Sequence, residues 1–539
     1  NYFSQEIYGR IPEQIREFLI RTSVLEIIEL DVVEALYNEL YGRKLASREL
    51  AADILGELEK RNLFIQRVGT AAGGAGFKYH RLFRKFLLKQ LSAGSGPETF
   101  RELNLSIAKI FWDRRDHESA LRYYNQAGSF SEMARIIRIK GADYMIRGNL
   151  GGLEKWISRL PEDDVKKDPW LILYRTITQR IRGGQKNIRL FKEALALFEE
   201  KGDVRGVMFA VGYLIEAAVF MRKPSSRIRS WIGKGESVLQ SVRGEEFYPW
   251  ARGLLWQQIG LGYIAGTGSL PKGISACKNA ALMGRQINNP ALVQNSSIIL
   301  ALGHVLAGDF ESAGTLLARI REDTGRDHSP EYRALKSLVD INYTLKNGRF
   351  EEASRLLERS EADIETFGLI FLYPGFIEAK ALFLAYTGQF GEAGQMADHL
   401  NDFSILEGND FYKGVAHRIR AVSFLLQKDT DRALQEIDSA MDQYDPGRKG
   451  DIHHFQTRQL SGIICYENGE YDRAREQLSG VLDFFDSISS DLSWSETSLV
   501  LGMTCIRLND RDAGLAFLRQ GLGRAARESY RFFPLISRT

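Results

Sequence analysis

Cysteine is almost absent. Cys277, Cys465 and Cys505 are the three in 539 residues, too few and too far apart for a disulfide framework or a zinc site, and they fit a reducing compartment. Proline is scarce, at 12, which leaves long stretches free to be helical. Charge of one sign is lacking too: 72 basic against 69 acidic residues leave +3, no global field for nucleic acid or an anionic membrane. No apolar run reads as long enough to span a bilayer; the best, Phe367 to Gly388, is broken by Glu378 and Lys380,. No basic segment followed by an apolar one opens the chain, so no signal peptide is visible. The expected location is cytoplasmic, and Asn1, already in helix-like sequence, reads as the start of a piece of a longer protein.

Catalytic signatures are missing as well. There is no His-Glu-x-x-His, Gly-x-Ser-x-Gly or Gly-x-x-x-x-Gly-Lys-Ser/Thr,. The histidines are dispersed except His453-His454, and adjacent helical residues point about 100° apart, so they do not grip one metal together. Gly73, Gly74 and Gly76 read as a hairpin tip rather than a phosphate loop, because no suitable lysine and hydroxyl follow. No catalytic or metal residues are assigned, and the chain is not read as an enzyme.

The 44% of apolar residues and 26% of charged ones describe an ordinary folded protein,. An internal repeat organises its C-terminal half. Gly308-Asp309-Phe310-Glu311-Ser312-Ala313 returns as Gly348 to Ala353 and Gly388 to Ala393. Degenerate copies follow at Lys428 to Ala433, Gly469 to Ala474 and Leu508 to Ala513. The anchoring alanines lie 40, 40, 40, 41 and 39 residues apart. Each unit reads as a helix, a turn and a second helix. The glycine ends the first helix in a left-handed conformation, the aromatic fills the corner, and the alanine lets the helices approach. Twelve residues before the anchors stand Ala301, Ile341, Ala381, Ala421, Gly462 and Leu501, mostly small. One such pair cannot bury its apolar face, so pairs stack into a superhelix. The pattern resembles tetratricopeptide repeats, lengthened from about 34 residues.

Less regular helical pairs precede the array, with turns at Asp113 to Ala120 and Gly128 to Ala134. A helix closes at Trp156 to Pro161, and Asp168-Pro169-Trp170 restarts the chain as a capped helix,. The first 92 residues differ. Helical pattern over Pro12–Leu25, Asp31–Leu40 and Ser47–Arg61 is followed by a strand at Leu63–Val68, a glycine turn, a returning strand at Phe77–His80 and a helix at Leu82–Leu91. That order predicts a winged helix. The predicted fold is mostly all-α: a winged-helix regulatory domain (1–92), an irregular helical-pair connector (93–248) and a tetratricopeptide-like superhelical sensor domain (249–539).

Three segments together resemble the large ATP-dependent LuxR-type regulators typified by the maltose-regulon activator, of the STAND class of signalling ATPases. They are Leu58 to Ile65 with Tyr79 to Leu87, Glu118 to Gly128, and Trp156 to Pro161 with Asp168-Pro169-Trp170. The resemblance implies a sensor that binds a small-molecule inducer and controls an ATPase module and a DNA-binding domain. Neither motif of those two parts is found in this chain. ATP and Mg are therefore expected only for the parent's nucleotide-binding module, with no cofactor here. Its implied partners are the parent's own ATPase module and other subunits, with DNA bound only through a domain outside this sequence. The resemblance also implies that the winged helix is a regulatory joint, which makes Tyr79, His80 and Phe83 candidate interdomain residues. Lys78, His80, Arg81, Arg84, Lys85 and Lys89 could instead grip DNA phosphates.

Aligning repeats on their alanines places the positions 20, 16 and 13 residues earlier on one face of each first helix. The columns contain Arg333, Tyr373, Lys380, Lys413, His417, Arg420, His454 and Arg458, polar and increasingly basic. If that face lines the concave surface, these residues form a ligand site favouring an anion or a neutral polar molecule. A one-residue error in register brings in Phe376, Tyr412, Arg418 and His453 instead. A solvated groove face, or a groove that holds a peptide, are the other readings of the same columns.

Overall fold

The computed structural model describes residues 8, 11–41, 48–60, 64–69, 74–94, 96–180, 184–242, 248–322, 330–444 and 451–536. The readings that fall on Ser47, Arg61, Leu63 and Gly73 lie outside them. The chain forms two compact units, Asn1–Lys167 and Asp168–Thr539, and the sequence boundary between them falls inside the stretch read as connector.

In the first unit, helices Glu13–Thr22, Leu30–Tyr41 and Arg48–Lys60 precede a hairpin of Ile65–Gly69 and Ala75–Tyr79. The strands are antiparallel with Ile65 opposite Tyr79 and Gly69 opposite Ala75, and Ile28 bridges to Phe77 as a third short edge. Helix Arg81–Gly94 returns across the core. Leu19, Ile28, Leu36, Leu55 and Leu87 are fully buried. This is a winged helix. Helical pairs from Gly96 to Lys167 complete the unit, and Glu118 holds two of them by accepting hydrogen bonds from Tyr144 (2.6 Å) and Trp156 (3.0 Å).

The second unit is a superhelix of helix pairs. Asp168 caps Pro169–Gln179 through the N–H groups of Trp170 and Leu171. From Pro290 the pairs follow the expected rhythm. The second helices start at Phe310, Phe350, Phe390, Thr430, Tyr471 and Arg511. The turn residues are left-handed throughout: Gly308, Gly348, Gly388 and Gly469 in four copies, Lys428 and Asn509 in the degenerate two. Ala313, Ala353, Ala393, Ala433 and Ala474 are completely buried. One further copy has no alanine to betray it. Gly268 ends the helical segment that begins at Pro249, and Gly273, 40 residues before Ala313, takes the anchor place. A Cβ there would lie 2.4 Å from Ile264, so the approach is closer than alanine permits.

Helix Pro290–Ala307 corrects the hydropathy reading. It is long and apolar enough to cross a membrane. It lies between Leu270–Gln286 and Phe310–Glu322, with Ile298, Ala301 and Val305 in the core. Its hydrophobicity serves packing on several sides.

The superhelix closes on itself. The Asp451 carboxylate accepts from the Ser225 N–H (3.1 Å), Asn409 donates to the Met221 carbonyl (3.0 Å), and Ser490 donates to the Leu306 carbonyl (3.0 Å). Early and late pairs therefore meet around a hollow centre.

The left-handed turns separate backbone strain from packing. A Cβ at Gly388 meets no atom within 4 Å, so Gly388→Ala costs only the left-handed penalty, about 1 kcal/mol. Lys428→Gly relieves the same strain and stabilises by up to about 1 kcal/mol, less the extra entropy of an unfolded glycine. Urea unfolding of both variants should move the midpoint in opposite directions.

Candidate functional site

The hollow centre of the second unit is a cavity of about 310 Å³. First helices supply most of its wall through the columns 15 and 11 residues before the anchors. These are Leu338, Glu378, Arg418 and Gln459, with Leu302, Asn342, Leu382 and Val422. Helix rotation puts these columns on one face, because residues four apart share a side. Phe220, Leu261 and Ile264 close it from the early pairs. A side chamber of about 90 Å³ shares Phe220, Phe371, Pro374 and Tyr412 with it.

The lumen's charges are mostly matched. Arg418 pairs with Glu378 and also donates to Gln456 (3.3 Å). Lys346 lines the same space and has no hydrogen-bond or ion-pair partner among the described residues. Burial lowers its pKa against the opposing pull of Glu496 and Glu378. Glu496 is nearly fully buried and accepts from the Leu535 N–H (2.7 Å) and from Gln459 (3.3 Å). Burial pushes its carboxyl up to about 7, against the Leu535 N–H and the Lys346 charge.

The last wall comes from the tail. After helix Arg511–Arg527 the chain runs back irregularly. The Tyr530 ring meets Phe310 at 5.6 Å, Phe532 meets Phe350 at 5.5 Å and Tyr386 at 6.2 Å, and Pro534 and Leu535 enter the lumen wall. The turn glycines make room: a Cβ at Gly308 would lie 2.2 Å from the Tyr530 hydroxyl, and one at Gly348 would sit tightly against Phe532 at 3.1 Å.

None of the eight expected ligand residues lines this cavity. Six of them meet second helices. Lys380 pairs with Glu361 (2.6 Å) and Arg420 with Asp398 (2.5 Å), each on the preceding unit's second helix. His417 meets Glu436 (2.7 Å), Arg458 donates to Gln477 (3.0 Å) and Arg333 approaches Asp363 (3.8 Å), each on its own unit's second helix. Lys413 pairs with Asp410 (2.9 Å), Tyr373 packs near Phe403, and the His454 ring lies against Phe455. The stripe is real but knits consecutive second helices together. The neighbours Tyr412, Arg418 and His453 do reach the lumen, whereas Phe376 is core. Sequence reasoning missed Lys346, Glu378, Gln459 and Glu496. Reading the columns at 15 and 11 would have found Glu378 and Gln459.

In the winged helix, Tyr79 and Phe83 are core residues. Tyr79 shares a hydrogen bond with Thr22 (2.7 Å), and Phe83 stacks on Phe64 at 4.9 Å. Their side chains are taken up by the fold, while His80 is exposed. Arg84, read as a phosphate contact, donates to the carbonyls of Ser23 and Val24 at 2.8 and 2.9 Å.

Residues 4–100 match the model of the MalT winged helix domain. The HTH-type transcriptional regulator MalT of Vibrio campbellii is 21% identical over 90% of this chain and 52% of its own length. The chain is MalT-like. The HTH-type transcriptional regulator AlkS of Pseudomonas putida is 24% identical over 39% of the chain and 23% of its own length. The chain thus spans about half, or less, of the length of these relatives. Among solved structures, a STAND protein with a tetratricopeptide repeat sensor from Pyrococcus horikoshii is 13% identical, over 85% of this chain and 66% of that one, with a TM-score of 0.49. The MalT-like chain thus contains a winged helix and a tetratricopeptide-like superhelix with a central cavity.

The raised Glu496 carboxyl makes stability depend on pH. The folded state holds this proton more tightly than the unfolded one, so its contribution is full below about pH 4.5, fades up to about 7 and is absent above,. Glu496→Gln is expected to flatten that decline and to gain up to about 3 kcal/mol over the parent at alkaline pH. Denaturant midpoints at acidic and mildly alkaline pH, taken as the difference between variant and parent, check this.

Proposed function

We propose that this chain is the signal-sensing and autoregulatory portion of a bacterial transcription regulator, with a small-molecule inducer bound in the lumen of the second unit. One observation carries the reading: a cavity of about 310 Å³ with both polar and apolar wall, inside a MalT-like chain. That volume falls within the range of about 300–1,000 Å³ usual for ligand sites. The relatives are transcriptional regulators by name. In this reading the chain hydrolyses nothing itself. It acts in the cytoplasm on an ATPase module and a DNA-binding domain of the parent protein, and ATP and Mg belong to that module.

The energetic requirement is strict. An inducer shifts the regulator only by binding its active form more tightly than its resting form. Moving a population from about 1:99 to 99:1 takes about a 10⁴-fold preference. The tail supports such a coupling, because Pro534 and Leu535 are part of the wall that an occupant touches. The same tail favours a second reading, since an irregular peptide segment already lies in the groove: the superhelix is a scaffold for peptides.

A thermal-shift screen of metabolites and a peptide array, both on this chain, separate the two. We expect a metabolite to raise the melting temperature by several degrees. The shift should shrink or disappear in Leu338→Trp, which puts a bulky ring into the lumen wall, and survive His417→Ala and Arg420→Ala, whose side chains lie outside that wall. Binding of peptides with no metabolite shift sinks the sensor reading.

A further inference from the structure

We propose that the lumen's ligand is an amphipathic anion, its acidic group paired with Lys346 and its apolar body laid against the leucine and phenylalanine wall. This deepens the sensor reading and rests on it.

The argument starts from the charges that line the cavity. Arg222, Lys346 and Arg418 are the cations, Glu378 and Glu496 the anions. Glu378 is taken by Arg418. Both oxygens of Glu496 accept hydrogen bonds, one from the tail backbone and one from Gln459. Arg222 lies over the Phe411 ring at 5.9 Å. Lys346 is the cation left over, with no hydrogen-bond or ion-pair partner among the described residues. Lys346 is half-buried, and an ammonium partly withdrawn from water with no protein partner is held at a cost that a counterion would offset,. The site is complete only when an acceptor or an anion reaches Lys346. Burial depresses the Lys346 pKa, as expected of an ammonium whose counterion is still to come,.

The remaining wall limits what carries that anion. Leu302, Leu306, Leu335, Leu338, Leu382 and Phe371 supply much of the apolar part of the wall. A polyhydroxylated ligand set against it would lose water from its hydroxyls without new partners, at roughly 1–3 kcal/mol each. An alkyl or aryl body instead gains about 25 cal/mol per Å² of surface buried. The uncharged polar groups are Asn342, Gln456, Gln459 and Ser493, with Tyr386, Tyr412 and His453. They can orient a head group, while the apolar body lies against the leucines and Phe371.

Calorimetry on the full chain with four probes tests this. Decanoate has both features, decanol lacks the charge, decylamine reverses it, and gluconate lacks the apolar body. We expect decanoate to bind about tenfold or more tighter than decanol, as one added charged hydrogen-bonded contact gives, and decylamine and gluconate not to bind. Lys346→Met should bring decanoate down to the affinity of decanol and leave decanol unchanged, while Lys346→Arg keeps the preference. Lys346→Met should melt no lower than the parent, since it removes an unpartnered charge. The proposal is overturned if decanol matches decanoate, if no probe binds, if Lys346→Met retains the acid preference, or if that variant is strongly destabilised. Failure of the sensor reading looks different: decanoate binding then persists unchanged in Leu338→Trp, which places it outside the lumen. Loss of the acid preference with metabolite shifts still abolished by Leu338→Trp leaves the lumen as the site and removes only the ligand class.

Discussion

The close approach of two helices at a buried small residue, renewed about every 40 positions, is the constraint on which the second unit depends. At Ala393 or Ala433 nothing larger than a methyl separates the pair, and Ala381 and Ala421 answer from the first helix. Larger groups there would force off-rotamer side chains and backbone shifts. The pairs are therefore wedge-like, tight at the turn, and stacking wedges makes a curve. The curve ends by meeting itself, where the Asp451 carboxylate caps the N-terminus of helix Ser225–Ser241 across 226 residues of sequence. The helix dipole favours a negative charge there. A lumen follows as the residue of that closure, because first helices that curve around a centre cannot pack against one another across it.

The turns, the anchors, the winged helix and the capped restart at Asp168 were legible because each is a local event with a local signature. Glycine before an aromatic, alanine three residues on, and a period that repeats leave little freedom. Lys428 and Asn509 show that the signature outlasts the glycine, since both hold the left-handed conformation without it. The copy at Gly273 shows the opposite limit: it packs closer than its neighbours, yet its glycine replaces the alanine by which copies are recognised.

The lumen was not legible because it depends on rotation about the helix axis. A shift of two residues turns a side chain by about 200°, from one side of the helix to the other. Both sides of these first helices carry polar residues. The side that sequence favoured, with Lys380, His417 and Arg420, is polar because the second helices present Glu361, Glu436 and Asp398 to it. Its richness in charge reflects pairing rather than vacancy. The true lumen columns are mixed, with Leu338 and Val422 beside Glu378 and Arg418. Pro534 and Leu535 complete it from a tail whose place nothing local announces.

Charge inside the second unit is organised in the same way at two depths. Arg180 is held between Glu216 and Glu331, and Glu216 is further held by Gln258 (2.6 Å). Arg418 and Glu378 repeat the device in the lumen wall. Such buried pairs add little net stability beside apolar packing, but breaking one leaves a stranded charge. They therefore fix how helices are rotated more than how firmly they are held. Glu496 departs from this pattern, because it is not matched by a guanidinium but holds a backbone N–H of the tail. A change in the lumen's electrostatics acts on Glu496, and through it on the seat of Leu535. The reverse also holds: moving Leu535 off this carboxylate removes a hydrogen bond to it and changes the electrostatics of the lumen wall,.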